Sequence, residues 1–231
     1  SLHNISKSFN GVELFTHFSL HLPENEISCI LGPSGSGKTT LLNMIGGIFF
    51  FFSCQITGLN HKAISFIFQE PRFLPWKKVR ANLKFVLNAP FIREKDEIID
   101  KNLRLVGLQD FADFYPHQLS GGMKQRVAIA RAFCYPSDII LMDEPLKTLD
   151  PKLKWNLMKT FLQLWQSDRR TVIFVTHDVD EALVLGEKIY VFSKPPVTVK
   201  KHFANDLSHE QKQISNMEFF RRKNQIMDHL D

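Results

Sequence analysis

The stretch Gly32-Pro33-Ser34-Gly35-Ser36-Gly37-Lys38-Thr39-Thr40 constrains this chain more than any other. It lies between an apolar β-branched run, Ile27 to Leu31, and an apolar helical run, Leu41 to Ile45. Glycines let successive backbone N–H groups turn toward one anion, and the following helix aims its positive dipole end at the same point. Lys38 can then reach the terminal phosphates of a nucleoside triphosphate, and the Thr39 hydroxyl can ligate Mg²⁺. An ordinary tight turn accounts for the glycines but not for the Lys-Thr pair behind them. The pattern G-x-x-x-x-G-K-T, after a predicted strand and opening a predicted helix, reads as a phosphate cradle.

At 231 residues, 44% hydrophobic and 23% charged, the chain fits one large domain, or one domain with a modest subdomain, and not disorder. No apolar run approaches the roughly 20 residues that span a bilayer. The N-terminus lacks the basic, apolar and small-residue order of a signal peptide, so the expected location is the cytoplasm. Cys29, Cys54 and Cys134 have no metal or disulfide spacing and are expected as buried, reduced thiols. The net charge of +5 would suit an anionic partner, but the basic residues are scattered except at Lys200-Lys201 and Arg221-Arg222-Lys223. A solvated face is the expectation, without nucleic acid.

In chain order, residues 1 to 31 read as short strands, with a hairpin turn at Asn10-Gly11 and a second at Pro23-Glu24-Asn25. Phe9 is either a core aromatic or a ring that stacks on a base. The helix after the phosphate loop should stop at Gly46-Gly47, and Phe49 to Phe52 is read as a buried segment. Ile64 to Phe68 reads as a strand delivering Gln69, whose amide can bind a metal or a water. A loop bracketed by Pro71 and Pro75 comes next. Residues 79 to 134 read as helices, the last opened by Leu119-Ser120-Gly121-Gly122. There Ser120 is a natural N-cap, and the two glycines leave N–H groups bare for a second anion.

Ile139 to Met142 is a continuous apolar run ending in Asp143-Glu144, where ligands bind in open α/β sheets. Asp143 suits Mg²⁺, and Glu144 suits a group that orients or deprotonates an attacking water. Asp150-Pro151 opens a helix whose apolar stripe is Leu157, Met158, Phe161, Leu162 and Trp165. Thr171 to Val175 is another buried strand, and Asp178 with Glu181 is a predicted capping box that pins His177. Ile189 to Phe192 reads as the last strand. The tail beyond Pro195-Pro196 is expected to end in a helix capped by Ser208 with Gln211, packing through Phe219, Phe220, Ile226, Met227 and Leu230.

The phosphate loop, Gln69, Leu119-Ser120-Gly121-Gly122, Asp143-Glu144 and His177 occur in the order that marks the nucleotide-binding subunits of ATP-binding cassette transporters. The chain resembles that family over nearly its whole length. It is similar in particular to importer subunits for nitrate, sulfonate, taurine and related small solutes, through 69–76, 115–119 and 176–182. The resemblance implies an α/β fold: a phosphate-loop (RecA-like) ATPase core at about 1–70 and 135–195, with an antiparallel β region. It also implies an inserted α-helical subdomain at 71–134 and a C-terminal extension at 196–231. It implies a head-to-tail homodimer with two ATP molecules sandwiched between the phosphate loop of one chain and Ser120 to Gly122 of the other. Lys38 and Thr39 would act on phosphates and Mg²⁺, with Gly32, Ser34, Gly35, Ser36, Gly37 and Thr40 around them. Asp143 and Gln69 would serve the metal, Glu144 would be the base, and His177 would lie near the γ-phosphate. Asp150 would reach across the interface, and Phe9 would stack on adenine. The loop after Gln69 would contact an integral membrane permease, itself served by a separate solute-binding protein, placing the chain in the cytoplasm on the inner face of the membrane.

Three positions depart from the family's pattern: Leu146-Lys147-Thr148 replaces Phe-Gly-Ala, Glu24-Asn25 replaces a glycine, and Phe49 to Lys62 is short and aromatic. The same residues leave two other readings. One is a regulatory adaptor that binds ATP with little turnover. The other is a DNA-associated ATPase of the same fold, which would need a coiled coil or zinc insertion that this chain lacks.

Overall fold

Ile27–Leu31 is apolar at nearly every position and buried at every one, as a strand covered on both faces must be. The computed structural model describes residues 1–9, 11–48, 55–87, 94–208, 211–212 and 216–230. In chain order its elements are β1 (Leu2–Phe9), β2 (Val12–Leu20), β3 (Ile27–Leu31), α1 (Lys38–Ile45), β4 (Gln55–Ile56) and β5 (Ile64–Ile67). Next come α2 (Val79–Val86), α3 (Lys95–Leu105), α4 (Gly121–Cys134), β6 (Ile139–Asp143) and α5 (Pro151–Ser167). The chain continues through β7 (Thr171–Thr176), α6 (Val179–Leu185), β8 (Lys188–Phe192), β9 (Val199–Ala204) and α7 (Met217–Met227). None of these helices is long and apolar enough to cross a membrane. The fold is α/β, with a largely parallel sheet, an antiparallel β region and a helical body, as the sequence predicts. It divides into two compact units: Ser1–Lys62 with Leu141–Glu144 and Arg170–Asp231, and Ala63–Ile140 with Pro145–Arg169.

In the first unit β1 pairs antiparallel with β2, Phe9 opposite Val12 and Leu2 opposite Leu20. The predicted first hairpin is thus formed, although Asn10 at its turn lies outside the described residues. β1 also pairs with β4. β3 runs parallel between β7 and β8, and β9 closes an edge antiparallel to β8. Phe18 joins the two sheets, its ring 5.0 Å from Phe15 and 5.5 Å from Phe192. All three rings are buried, each worth about 1.5–3 kcal/mol of apolar transfer. α1 ends where expected, with Gly46 as its C-cap and Gly47 in the left-handed region at φ 68°.

In the second unit β5 starts beside β6: the Asp138 and Ile139 N–H groups donate to the Ala63 carbonyl at 2.9 and 3.2 Å. α4 is its centre, with Val127, Ile129, Ala130 and Phe133 buried and the Phe133 ring edge-on to Phe161 of α5 at 5.6 Å. Asn82 on α2 is buried and holds the loop that comes after Gln69. Its Oδ1 accepts from Leu74 N–H at 2.8 Å, and its Nδ2 donates to the Leu74, Lys77 and Lys78 carbonyls. Arg80 pairs with Asp100, joining α2 to α3.

Several expectations need correction. Glu24-Asn25 is a turn but not a hairpin, because β2 and β3 belong to different sheets and Asn25 takes φ 57° to make the crossing. Phe192 does not end the last strand: β9 comes after it, an edge strand whose solvated face hides its pattern behind Lys200 and Lys201. Ser208 and Gln211 do form reciprocal hydrogen bonds, but the terminal helix starts at Met217, capped by Asn216. Phe219 and Ile226 are fully buried, whereas Phe220 and Met227 are exposed. On α5, Leu164 is buried in place of Leu162. Cys29 and Cys134 are buried, as expected, while Cys54 and the run Phe49 to Phe52 lie outside the described residues.

Candidate functional site

The loop from Gly32 to Gly37 is closed by Ser36 N–H donating to the Pro33 carbonyl at 3.2 Å. Two of its glycines are required on different grounds. A Cβ on Gly32 would lie 2.8 Å from Ser36 Oγ, and Gly37, at φ 77°, would meet the Phe15 ring at 2.9 Å. Gly37 is also the N-cap of α1 and brings no side-chain cap. The first N–H groups of α1 lie at the positive end of the helix dipole. Lys38 is buried, and its ammonium donates to the Gly32 and Pro33 carbonyls at 2.7 and 2.9 Å. Those contacts offset the cost of burying a charge and hold the cation inside the loop. Ser34 and Gly35 are exposed at its tip, and Ser36 is buried beneath it.

The exposed Thr39 hydroxyl donates to Asp143 Oδ1 at 2.9 Å. Asp143 ends β6, so this bond joins the phosphate loop, which leaves β3, to the end of another strand of the sheet. Glu144, next in the chain, has φ 41°, an uncommon conformation for a residue with a side chain. Its N–H donates to the Val175 carbonyl at 3.1 Å. Its Oε2 lies 3.2 Å from His177 Nδ1, with the carboxylate 14% and the imidazole 52% exposed. Lys38, Thr39, Asp143, Glu144 and His177 thus gather at the carboxyl ends of parallel strands, where open α/β sheets bind ligands.

His177 is held in place by residues 178 to 181. The Asp178 carboxylate accepts from the Asp180 and Glu181 N–H groups and caps α6. The predicted Asp178–Glu181 box is relayed through Thr176, a residue that sequence reasoning does not single out. It accepts from Asp178 N–H at 3.0 Å and donates to Glu181 Oε2 at 2.6 Å. Its only signal in the sequence is a hydroxyl at the strand end before His-Asp. Close by, Cys29 is fully buried, and burial first, then the Glu181 and Asp178 carboxylates, push its thiol pKa well up.

The remaining predicted residues lie in the second unit, apart from Thr40 in the first turn of α1 and Phe9. Gln69 is half-buried two residues beyond β5. Ser120 Oγ accepts from Met123 N–H at 3.3 Å as N-cap of α4, and Asp150 Oδ1 accepts from Leu153 N–H at 3.0 Å as N-cap of α5. Gly121 has open space around it, but a Cβ on Gly122 would lie 2.2 Å from Leu153 Cδ2. Only Gly121 therefore leaves its surroundings open. Phe9 ends β1 in the first unit, and its side chain lies outside the described part.

The residues fit a magnesium nucleotide. Asp143 and Thr39, joined at 2.9 Å, are the oxygen groups that could hold the ion. Mg²⁺ is commonly held in that way, by one or two side-chain oxygens with phosphates and water completing its shell.

The ABC transporter family profile matches residues 15–147. A protein described as an uncharacterized ABC transporter ATP-binding protein, from Methanocaldococcus jannaschii, is 37% identical over 98% of this chain and 89% of its own length. A taurine import ATP-binding protein of Roseobacter denitrificans is 38% identical, over 88% of this chain and 81% of its own. An aliphatic sulfonates import ATP-binding protein of Bacillus thuringiensis is 34% identical, over 93% and 89%. Among solved structures, a dimeric bacterial ABC transporter cassette superposes with a TM-score of 0.75 at 30% identity, over 88% of this chain and 97% of that one. A post-hydrolysis state bound to ADP and Pi gives the same TM-score at 29% identity over the same shares. With the phosphate loop, the acidic strand end and the histidine already brought together, the chain belongs to the ABC transporter family and is one of its ATPases.

Proposed function

We propose that this chain is the motor subunit of a small-solute importer, binding and hydrolysing Mg-ATP as a head-to-tail homodimer on the cytoplasmic side of a membrane permease. The observation that carries the reading is the pairing at one strand end: Thr39 with Asp143 at 2.9 Å, and Glu144 with His177 at 3.2 Å. The names of two relatives, at 38% and 34% identity, support taurine, sulfonates or a related small solute as the solute class.

On this reading the N–H groups of Gly35 to Thr40 receive the phosphates, with Gly32, Ser34 and Ser36 shaping the loop. Lys38 turns its ammonium from loop carbonyls to the terminal phosphates. Asp143 and Thr39 hold Mg²⁺, with Gln69 as a further ligand or water partner; the metal, when bound, neutralises phosphate charge. Glu144 orients a water and takes its proton at the carboxylate, and His177 Nδ1 keeps that carboxylate aimed. Ser120, Gly121, Gly122 and Asp150 close on the nucleotide of the second copy, and Phe9 stacks on adenine. The loop after Gln69, pinned by Asn82, passes the change to the permease, and a separate binding protein delivers the solute. We assign residues 71–134 as the helical subdomain and 196–231 as an extension.

Two measurements on purified protein test this. Mg-ATP hydrolysis should fall by about 10²–10⁴-fold in Glu144→Gln, the range for removing a general base. Light scattering should show that variant dimerising on ATP. ATP binding without a dimer or turnover would overturn the motor reading.

A further inference from the structure

α6 has seven residues and begins two positions after His177. A helix that short does not hold itself in water, so its orientation comes from its contacts. Besides the Asp178 cap, three of those come from residues beyond β8. At its carboxyl end, the buried Asn205 side chain donates from Nδ2 to the Leu183 carbonyl at 2.8 Å and to Gly186 at 2.6 Å. These are carbonyls the helix cannot satisfy internally. At its amino end, Lys223 of α7 pairs with Asp180 at 2.6 Å, with the two side chains only 30% and 29% exposed. α7 packs against α6, and its Phe219 and Ile226 are completely buried. Arg222 fastens α7 to Asp206 at 2.7 Å, beside Asn205.

We propose that the C-terminal segment is a brace for His177 and that Lys223 is a positioning residue for hydrolysis. Asp180 links the brace to the site. Its carboxylate meets Lys223, and its N–H donates to the Asp178 carboxylate, which also takes the Glu181 N–H. Asp178 N–H in turn rests on Thr176. Loosening Lys223 therefore loosens both residues that flank His177, and with them the 3.2 Å approach of Nδ1 to Glu144. The Thr39–Asp143 bond is not among these contacts, and Mg-ATP binding is expected to be unaffected.

The inference rests on the role given to His177 above, so His177→Ala is measured in parallel. Lys223→Met is expected to lower kcat about 3–10-fold, the effect of a partly buried ion pair acting through one intermediary, with KM for Mg-ATP unchanged. The exchanged pair Asp180→Lys with Lys223→Asp should restore most of the turnover. Amide exchange in Lys223→Met should quicken across residues 176–182 and not across 32–40. Wild-type kcat in Lys223→Met, beside a His177→Ala variant that has lost turnover, would overturn the brace and leave the site intact. A His177→Ala variant with wild-type turnover would remove the role of His177 and the brace with it. Failure of the exchanged pair to recover turnover, or a rise in KM matching the fall in kcat, would mark general destabilisation and also overturn the proposal.

Discussion

Gly122 and Leu153 are in contact in the second unit: a Cβ added to the glycine would lie 2.2 Å from Leu153 Cδ2. The packing of α5 by itself therefore calls for one of the two glycines at the start of α4. Gly122→Ala should destabilise the protein by about 1–3 kcal/mol, as overpacking of a tight contact does. Gly121→Ala, with open space around it, should leave stability unchanged or raise it by up to about 1 kcal/mol through helix propensity. Urea denaturation of the two variants separates them, and equal midpoints would refute the packing account.

The Thr39–Asp143 hydrogen bond sets up a second pair of variants. Thr39→Ser keeps the hydroxyl that donates at 2.9 Å, and Thr39→Ala deletes it. If both groups serve one Mg²⁺, Thr39→Ala should need about 10–100-fold more Mg²⁺ for half-maximal ATPase activity, with Thr39→Ser near wild type. A magnesium titration at saturating ATP reads this directly. An unchanged requirement in Thr39→Ala would take the hydroxyl out of the metal's shell.

The parts of the site legible in the sequence are those whose chemistry is local. The phosphate loop, the Ser120 and Asp150 caps and the Asp143-Glu144 strand end each need only neighbours within a few residues. The rest depends on contacts distant in the chain. Leu153 fills the space beside Gly122 from 31 positions away, and Lys223 reaches Asp180 across 43. Neither pairing leaves a periodic trace. β9 is hidden for another reason: its residues are mostly solvated and lie beyond Pro195-Pro196, so the strand reads as a polar tail. The turn at Glu24-Asn25 carries a sound turn signal, but no turn signal says whether the next strand returns to the same sheet.

Thr176 is the hinge of the hydrogen bonds behind His177, and it is buried. Thr176→Val keeps the shape but removes both the acceptor for Asp178 N–H and the donor to Glu181 Oε2. With Glu181 also buried, the loss should cost about 1–3 kcal/mol. Thr176→Ser should cost less, because the hydroxyl stays. Thermal unfolding at neutral pH distinguishes them, and a Thr176→Val variant as stable as Thr176→Ser would show that the hydroxyl contributes nothing.

Cys29 gives a prediction in pH. Its thiol pKa is raised well above the ordinary 9.0, through burial first and then the Glu181 and Asp178 carboxylates, with Lys38 opposing. The folded state therefore holds its proton where the unfolded chain releases it. Below pH 9.0 both states are protonated and the thiol adds no pH dependence. Above it the unfolded state binds fewer protons than the folded state, so stability falls as pH rises, by up to about 1.4 kcal/mol per unit from this group. Urea midpoints of wild type and Cys29→Ala between about pH 8 and 10.5 should therefore converge as pH rises, because only the wild type carries this term. The same burial should keep Cys29 unreactive toward a thiol reagent until the protein unfolds. Parallel pH profiles for the two proteins, or rapid modification of Cys29 in the native state, would contradict the burial on which both expectations stand.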